Sequence, residues 1–361
     1  MRPLRVGVVG CGIIAKRYVA DSTAFPTFDV VACADVDVEA ARRFAEEHRL
    51  EALGVDELIA SDELDLVLNL TPPAVHEPLV GATLDAGKHS YTEKPLAMSI
   101  EGGACVVQKA RSLGLRIGCA PDTFLGGAYS AARDAIARGD IGEPIGATAQ
   151  MLTGGPEGWH PNADFFYRAG GGPLLDIGPY YLTALVSLLG PFAAASGFVA
   201  TPTLERELGV GPRAGQRFST EVPTHVACAL QTAAGAIATL TVSFEARGRY
   251  ESGMIVHGTE GSLSLPDANA FLGDVCIRRD RDDWEPLAYE SRGDMETRGL
   301  GLHELVESLE AGRPHRASGE LALHVLETID AVLRSAEEGR TIEVAPLLEA
   351  EAKPRKRVAS G

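Results

Sequence analysis

The sequence predicts an α/β fold in which a doubly wound parallel sheet is followed by a second domain rich in strands. Near the start of the chain, a glycine-rich turn joins an apolar strand to a helix. Apolar strands and helical segments then alternate with a period of roughly 30 residues, which is typical of parallel βαβ units. Beyond residue 122 apolar and polar residues alternate strictly in several stretches, which indicates strands with one buried face.

Composition and charge exclude several function classes. The chain has 33 Lys and Arg against 50 Asp and Glu, a net charge of −17, which disfavours binding to nucleic acid or to anionic membranes. No apolar run approaches the roughly 20 residues needed to span a bilayer. The 6 cysteines are scattered without a C-x-x-C pair, as expected for free thiols in a reducing compartment. We therefore expect a cytoplasmic protein with neither nucleic acid nor a membrane as partner.

The first strand and helix predict a dinucleotide site. Residues 6–9 read as a buried strand, and residues 10–15 form a G-x-G-x-x-A turn before a helix. Gly10 permits the tight turn, Gly12 lets the backbone approach a pyrophosphate, and Ala15 lets helix and strand pack closely. The first helical N–H groups and the helix dipole then attract the phosphates. The predicted cofactor contacts in this turn are Gly10, Gly12, Ile13 and Ile14.

An acidic residue at the end of the second strand predicts the cofactor type. The strand over residues 28–34 ends at Asp35, slightly beyond the usual spacing of about 20 residues from the glycines. A carboxylate there accepts hydrogen bonds from an adenosine 2′-hydroxyl and repels a 2′-phosphate. We therefore expect NAD, with NADP less favoured. The alternative is that Asp35 only opens the turn before the helix over residues 38–49.

Further polar residues follow the later strands of the first domain. Strands are predicted over 65–70, 88–92 and 115–120, and helices over 74–86 and 100–113. Ligands of doubly wound sheets bind beyond the carboxyl ends of the strands. The residues expected to contact the cofactor there are Thr71, Pro72, Glu93 and Lys94. His76 either touches the edge of the cofactor or caps a helical turn.

Three motifs together resemble a known enzyme family. The turn over residues 10–15, Thr71-Pro72-Pro73 with His76, and Glu93-Lys94-Pro95 are similar to those of the glucose–fructose oxidoreductase / inositol dehydrogenase / rhizopine-catabolism (GFO/IDH/MocA) family. The resemblance covers nearly the whole chain. It implies a Rossmann domain over 1–121 and an α+β domain over 122–350 with a large, open-faced, mostly antiparallel sheet. It also implies NAD(P)-dependent chemistry on a sugar, inositol or related polyol.

The resemblance also bears on assembly. In similar proteins the outer face of the second sheet builds the interface of a homodimer or homotetramer. The alternative is that this outer face, which is rich in threonine, is simply exposed to solvent. The basic segment within residues 351–361 is expected to be a disordered tail.

A glycine-led segment over residues 170–181 supplies the second predicted half of the active site. Pro173 suits a first helical turn, and Asp176 and Tyr180 stand at i and i+4, so they would share one helix face. The segment matches the second signature of the family, G-G-G-x-L-x-D-x-G-x-H, except that Tyr180 replaces the usual histidine. The proton-transfer group is therefore left open among Tyr180, His160 and Lys94.

The implied reaction is hydride transfer between a carbinol carbon and a nicotinamide. It requires a general acid or base within hydrogen-bond reach of the carbinol oxygen. Lys94 would polarise that oxygen and lower the cost of a tyrosinate at Tyr180, since a free tyrosine has a pKa of about 10. Asp176 would orient Lys94 or bind a second substrate hydroxyl. These three residues are the predicted catalytic group.

An aromatic and polar stretch over residues 159–167 is the predicted substrate-binding loop. Trp159 and Phe165 suit the C–H faces of a polyol, while His160 and Asn162 suit its hydroxyls. The alternative is loop packing beneath the glycines. Asp122, at the start of the second domain, is a further predicted substrate contact. No H-x-x-H or H-E-x-x-H spacing occurs, so no metal is expected.

Two rival functions remain open at this stage. The first is a regulatory protein that binds NAD(H) without turnover, which would not need Lys94 and Asp176 as a proton-transfer set. The second is a dehydrogenase of a dihydrodiol or another hydrophobic carbonyl compound, which the aromatic residues permit. The preferred prediction is an NAD-dependent dehydrogenase or reductase acting on CH–OH groups.

Overall fold

The computed structural model describes residues 2–248, 252–280 and 282–348. These form two compact units, the first with residues 2–122, 292–323 and 348, the second with residues 123–291 and 324–347. The predicted tail over 351–361 lies outside the described residues. In the described ranges, no helix combines the length and the apolar character required to cross a membrane.

Local sequence explains the elements of the first unit well. Helix α2 begins after Asp37, whose carboxylate accepts hydrogen bonds from two backbone N–H groups, and α5 ends at Gly114 in the left-handed region. The strands are β1 (Leu4–Val9), β2 (Phe28–Ala34), β3 (Glu51–Ala52), β4 (Leu66–Asn69), β5 (His89–Thr92) and β6 (Ile117–Cys119). The helices are α1 (Ile13–Asp21), α2 (Val38–His48), α3 (Val55–Ala60), α4 (His76–Asp85) and α5 (Ile100–Leu113).

The strands of this unit form the predicted doubly wound sheet. Among the described residues, six parallel strands lie in the order β3-β2-β1-β4-β5-β6, which confirms the Rossmann topology. Apolar cores lie around Val67 and Leu58 and around Leu84 and Val106. The carboxyl ends of β1, β2, β4 and β5 therefore bring the predicted cofactor residues to one edge of the sheet.

The chain returns to the first unit late in the sequence. Helix α9 (Leu300–Ala311) belongs to this unit, and the backbone of Cys119 in β6 donates a 2.9 Å hydrogen bond to Ala317. The compact units thus differ from the predicted spans 1–121 and 122–350 in the segment 292–323. The assignment of separate functions to those two spans stays a prediction.

The second unit contains most of the predicted strands of period two. Its helices are α6 (Gly127–Ala137), α7 (Pro173–Asp176), α8 (Gly178–Leu189) and most of α10 (Gly319–Glu338). Its strands are β7 (Pro144–Leu152), β8 (Phe192–Ala200), β9 (Glu205–Glu207), β10 (Arg217–Ser219), β11 (His225–Thr232), β12 (Ile237–Ser243), β13 (Gly253–Gly258), β14 (Gly261–Leu265), β15 (Cys276–Arg279), β16 (Glu285–Pro286) and β17 (Ile342–Glu343).

The large sheet of this unit is open on one face. In the described part of the chain nine strands lie in the order β16-β15-β14-β13-β7-β12-β11-β8-β17, and only β7 and β12 pair in parallel. Helix α8 lies against the inner face at β7 and β12. On the opposite face, Ile237 is more than half exposed and Phe198 is 82% exposed. This arrangement confirms the predicted open-faced, mostly antiparallel sheet.

Candidate active site

The glycine turn has the geometry that a bound pyrophosphate requires. Gly10 has φ +98°, and a side chain on it would come within 2.7 Å of the Leu70 carbonyl oxygen. Gly12, the residue before α1, has open space where a side chain would stand. Ala15 is fully buried, as close packing of α1 on the sheet demands. Among the described residues, no side chain caps the first N–H groups of α1. The turn therefore fits a phosphate group, which can accept hydrogen bonds from these N–H groups.

Asp35 is held in place at the end of β2. One carboxylate oxygen accepts a 2.8 Å hydrogen bond from the backbone N–H of Cys11, and the other accepts one of 2.9 Å from Asp37. Each oxygen keeps a further lone pair for a ribose hydroxyl. Arg42, in the next helix, forms an exposed ion pair of 2.7 Å with Glu39. The glycine turn and the predicted ribose-binding carboxylate are therefore joined directly.

His76 joins two loops behind the sheet edge. Its Nε2 lies 2.8 Å from the carbonyl oxygen of Thr71, and its Nδ1 lies 2.6 Å from that of Pro95. The residue is fully buried. Both ring nitrogens are thus directed at backbone oxygens, and the expected contact of His76 with the edge of the cofactor stays a prediction. His76 positions the loop of Thr71 and Pro72 and the loop of Lys94 relative to each other.

Glu93 is fixed by groups on both sides. Its Oε1 accepts a 2.9 Å hydrogen bond from the Tyr18 phenol in α1, and its Oε2 accepts one of 3.2 Å from the backbone N–H of Lys94. Its own N–H donates to the carbonyl of Asn69 at the end of β4. Lys94 is half-buried, and its peptide bond to Pro95 is cis. The Glu93-Lys94-Pro95 motif is thus tied to α1 and to β4.

Asp122 joins the end of the Rossmann strands to the start of α9. The residue is fully buried, and its Oδ2 accepts hydrogen bonds from Gly299 at 3.2 Å and from Gly301 at 3.1 Å, at the start of α9. Arg298 donates to Oδ1 at 3.3 Å. Burial raises the pKa of the Asp122 carboxyl, and the Arg298 charge opposes that rise. The carboxylate is thus enclosed by contacts within its own unit, and the expected contact with substrate stays a prediction.

Asp176 and Tyr180 do not share one helix. Helix α7 ends at Asp176, Ile177 stands between the helices, and α8 begins at Gly178. Pro179 lacks a backbone N–H and belongs in a first helical turn, so a new helix starts there. Tyr180 is 7% exposed and Asp176 is partly exposed. The prediction from the i and i+4 spacing, that Asp176 and Tyr180 share one helix face, is therefore wrong.

The predicted substrate-binding loop forms an aromatic cluster. The Phe165 and Phe166 rings stack with centroids 3.9 Å apart, and the His160 ring meets both edge-on at 5.4 and 5.3 Å. Trp159 is 68% exposed and Phe165 is 53% exposed. The cluster therefore offers exposed ring surface. The alternative of loop packing beneath the glycines required these rings to fill a core instead.

The tautomer of His160 bears on its suggested role as a base. Its Nδ1 accepts a 3.1 Å hydrogen bond from the backbone N–H of Asn162. In a neutral imidazole with that acceptor, Nε2 carries the proton. His160 is then a hydrogen-bond donor at Nε2 and has no lone pair there for abstracting a proton. This leaves Tyr180 and Lys94 as the stronger candidates for proton transfer.

Several residues near the candidate site gave no signal in the sequence. Tyr18 reaches Glu93 across 75 positions, and Arg206 and Arg213 reach the aromatic loop from 49 positions away. Such pairings follow from the tertiary fold and leave no local pattern. Within the described ranges, no group of three or more His, Cys, Asp and Glu side chains is arranged to hold a metal ion.

Comparison with known proteins agrees with this architecture. Residues 4–120 match the oxidoreductase family with an NAD-binding Rossmann fold, and residues 129–264 match the GFO/IDH/MocA C-terminal domain. A solved levoglucosan dehydrogenase in complex with NADH and L-sorbose has the same fold, with a TM-score of 0.82, 22% identity, and coverage of 96% of this chain and 100% of that one.

Relatives with a named activity include two reductases. The 1,5-anhydro-D-fructose reductase of Ensifer adhaerens is 29% identical, over 94% of this chain and 98% of its own. The dTDP-3,4-didehydro-2,6-dideoxy-alpha-D-glucose 3-reductase of Streptomyces antibioticus is 34% identical, over 73% of this chain and 76% of its own. With both family domains matched in order on a Rossmann unit and an open-sheet unit, this chain belongs to the GFO/IDH/MocA family of oxidoreductases.

Proposed function

We propose that this chain is an NAD-dependent dehydrogenase or reductase that transfers a hydride between the nicotinamide and a CH–OH carbon of a sugar, inositol or related polyol. One observation carries the proposal: Glu93 and Lys94 stand at the carboxyl end of β5 and are tied by Tyr18 to the helix that follows the glycine turn. This tie links a candidate acid/base group to the dinucleotide site. The proposal assigns cofactor binding to residues 1–121 and substrate binding to residues 122–350.

In this proposal the cofactor lies along the edge formed by the carboxyl ends of β1, β2, β4 and β5. Asp35 supports NAD over NADP, because its carboxylate is fixed by two backbone N–H groups and would repel a 2′-phosphate. When bound, the nicotinamide supplies the hydride acceptor or donor. The remaining proposed cofactor contacts are Gly10, Gly12, Ile13, Ile14, Thr71, Pro72, Glu93 and Lys94.

Proton transfer at the carbinol oxygen is assigned to Lys94 and Tyr180. An ammonium group stabilises negative charge on that oxygen and favours the tyrosinate form of a neighbouring phenol. The position of Tyr180 in the first turn of α8 supports this role, because the positive end of a helix dipole also stabilises an anion. Asp176 would orient the Lys94 ammonium or bind a second substrate hydroxyl.

The substrate is proposed to lie against the aromatic loop. Exposed Trp159 and Phe165 rings would pack on the C–H face of a sugar ring, while Nε2 of His160 and the amide of Asn162 would bond its hydroxyls. The relatives from Ensifer adhaerens and Streptomyces antibioticus are reductases of sugar derivatives by name. A carbonyl group on a sugar carbon is therefore the favoured oxidised substrate.

The open sheet face supports a homodimer or homotetramer. Strands β7, β8, β11 and β12 contain no Asp, Glu, Lys or Arg, although 23% of the whole chain is charged. A flat, uncharged face with exposed Phe198 and Ile237 is suited to a second copy of itself.

We place the protein in the cytoplasm, since its cysteines are free thiols.

The test is a spectrophotometric screen at the NADH absorbance. The full chain is assayed with NAD and NADP on inositols, aldoses, sugar acids and keto sugars, beside Lys94→Ala. Lys109→Ala is the matched control, because Lys109 forms an ion pair with Asp85 on α4, away from the sheet edge. We expect turnover in the wild type and the control, and a loss of at least roughly 100-fold in Lys94→Ala.

Other outcomes separate the rival functions. Binding of NADH without turnover on any compound would favour a regulatory protein. Turnover confined to dihydrodiols or aromatic carbonyl compounds would assign the enzyme to that substrate class instead of to sugars and polyols. Near-normal turnover by Lys94→Ala would remove Lys94 from the catalytic group.

A further inference from the structure

A hairpin in the second unit is fastened to the aromatic loop at several points. We call residues 204–220, which contain β9 and β10, the arginine hairpin, and residues 156–168 the aromatic segment. Two rings of the aromatic segment are largely exposed, with Trp159 at 68% and Phe165 at 53%. Ordering such side chains costs conformational entropy, so the contacts that hold the segment decide whether its rings stay in place.

The first fastening joins Arg213 to Asp164. Two parallel hydrogen bonds connect the guanidinium to the carboxylate, Nη1 to Oδ1 at 3.0 Å and Nη2 to Oδ2 at 3.1 Å. The Asp164 side chain is only 9% exposed, and the hydrogen bonding from Arg213, with its charge, holds the pKa of that carboxyl below its usual range. Bidentate pairs of this kind fix orientation as well as distance. Asp164 lies directly before Phe165 and Phe166, so this pair locates the stacked rings.

The second fastening is buried. The Arg206 side chain is 5% exposed, and its Nη1 donates a 2.6 Å hydrogen bond to Glu157. Its guanidinium carbon lies 4.5 Å from the centre of the Tyr167 ring, and the Tyr167 phenol itself donates to Glu157. Glu245, beyond β12, binds the other side of the same guanidinium. Arg206 therefore holds both ends of the aromatic segment against the sheet.

Backbone contacts complete the attachment. The N–H of Gly209 donates a 2.9 Å hydrogen bond to the carbonyl of Glu157. A side chain at Gly211 would collide with Pro161 at 2.6 Å, so the turn of the hairpin lies directly on the segment. The hairpin thus contacts the segment before, between and after its exposed aromatic residues.

We propose that the arginine hairpin is the element that sets the affinity for the sugar substrate, with Arg213 and Arg206 as positioning residues that hold the aromatic segment in its sugar-binding geometry. This inference rests on the proposed function, since it assumes that the segment binds the substrate. It assigns the hairpin no part in hydride or proton transfer. Changes in the hairpin should therefore weaken sugar binding and leave the dinucleotide site unaffected.

The experiment compares Arg213→Ala and Arg213→Lys with Arg217→Ala in the full chain. Arg217 lies on the same hairpin but is 72% exposed and forms only a surface ion pair of 3.4 Å with Glu205. Lysine keeps the charge of Arg213 but cannot form the two parallel bonds. Hydrogen–deuterium exchange is measured over residues 156–172, and KM and kcat are measured for the sugar and for the dinucleotide.

We expect Arg213→Ala to speed exchange in the aromatic segment by at least roughly fivefold. Its KM for the sugar should rise by about tenfold, with kcat and the KM for the dinucleotide changed by less than about twofold. Arg213→Lys should give intermediate values, and Arg217→Ala should match the wild type. Asp164→Asn should reproduce Arg213→Ala, and combining the two changes should add little.

Two results would overturn the inference. Unchanged exchange over residues 156–172 in Arg213→Ala would show that the pair does not hold the segment. Parallel losses in kcat and in dinucleotide affinity would show a general structural role. If Arg213→Ala fails to fold, Arg213→Lys and Asp164→Asn decide by the same measurements. Absence of turnover in the wild type would overturn the proposed function, whereas the exchange measurement would still judge the fastening.

Discussion

The phenol of Tyr18 donates a 2.9 Å hydrogen bond to Oε1 of Glu93, so the helix after the glycine turn is tied to the residue before Lys94. Tyr18 is 2% exposed, and burial together with the nearby Glu93 charge raises the pKa of its phenol. The phenol therefore stays protonated and donates across the whole working range of pH. The tie keeps two parts of the proposed cofactor site in register.

Tyr18→Phe should lower both stability and turnover. Loss of a hydrogen bond to a charged group costs about 1–3 kcal/mol of unfolding free energy, and a small displacement of Lys94 should lower kcat by roughly tenfold. Tyr91→Phe is the matched control, because the buried Tyr91 hydroxyl has no hydrogen-bond partner among the described residues. Thermal unfolding and kcat are measured for both. Equal effects of the two variants would contradict the role given to Tyr18.

Asp35→Ser should shift cofactor preference towards NADP. Removing the carboxylate removes its repulsion of a 2′-phosphate, so the NADP to NAD ratio of kcat/KM should rise at least tenfold, or about 1.4 kcal/mol. The shorter serine side chain also gives up the hydrogen bond that the Cys11 N–H donates to Asp35. Kinetics with both cofactors provide the measurement. A wild type that already prefers NADP tenfold would contradict the assignment of NAD.

Acid should destabilise the first unit partly through His89. Burial, aided by the charge of Arg116, lowers the pKa of His89 to about 4, and its Nδ1 accepts a hydrogen bond from the Arg116 N–H. A histidine in an unfolded chain has a pKa near 6.5. Between pH 6.5 and pH 4, the unfolded chain therefore binds a proton at His89 and the folded chain does not. Stability should therefore fall as the pH drops from about 6.5 to about 4, by up to about 3 kcal/mol.

His89→Asn isolates this contribution, because the amide oxygen can still accept from Arg116. The variant should lose less stability than the wild type between pH 7 and pH 4 in urea unfolding. Parallel curves for the two proteins would show that His89 binds its proton equally well in the folded chain.

Asp122→Asn should affect stability and spare substrate binding. The amide can accept only part of what the carboxylate accepts from Gly299, Gly301 and Arg298, so about 1–3 kcal/mol of unfolding free energy should be lost. The KM for the sugar should stay within about twofold of the wild type. Asp85→Asn, on the surface of α4, controls for the loss of a charge. A raised KM with unchanged stability would support the sequence-based role of Asp122.

Thr239→Arg should separate the proposed oligomer. Thr239 lies in the middle of the open face, opposite Ala229 on β11 and Thr148 on β7. Two arginines brought together at an interface between identical faces would repel and lack partners, whereas Thr239→Ser preserves the surface. Sedimentation velocity of both variants gives the assembly state. An unchanged sedimentation coefficient in Thr239→Arg would exclude the centre of this face from the interface.

The sequence by itself determined the features that depend on neighbours along the chain. Helix α5 and strand β2 occupy the predicted residues, because apolar periodicity and local glycine signals define them. The turn from Gly10 to Gly12 was readable because positive φ and close backbone approach need glycine at fixed positions.

Only the tertiary structure decided which polar residues face a ligand and which are enclosed. Asp122 and His76 look like site residues in the sequence, yet both are fully buried in the folded chain, Asp122 by partners about 180 positions away. Conversely, Arg206 and Arg213 belong to no recognisable sequence motif, and the folded chain brings them to the aromatic segment. The physical reason is that burial and ion pairing depend on contacts between residues far apart in the chain, which local periodicity does not encode.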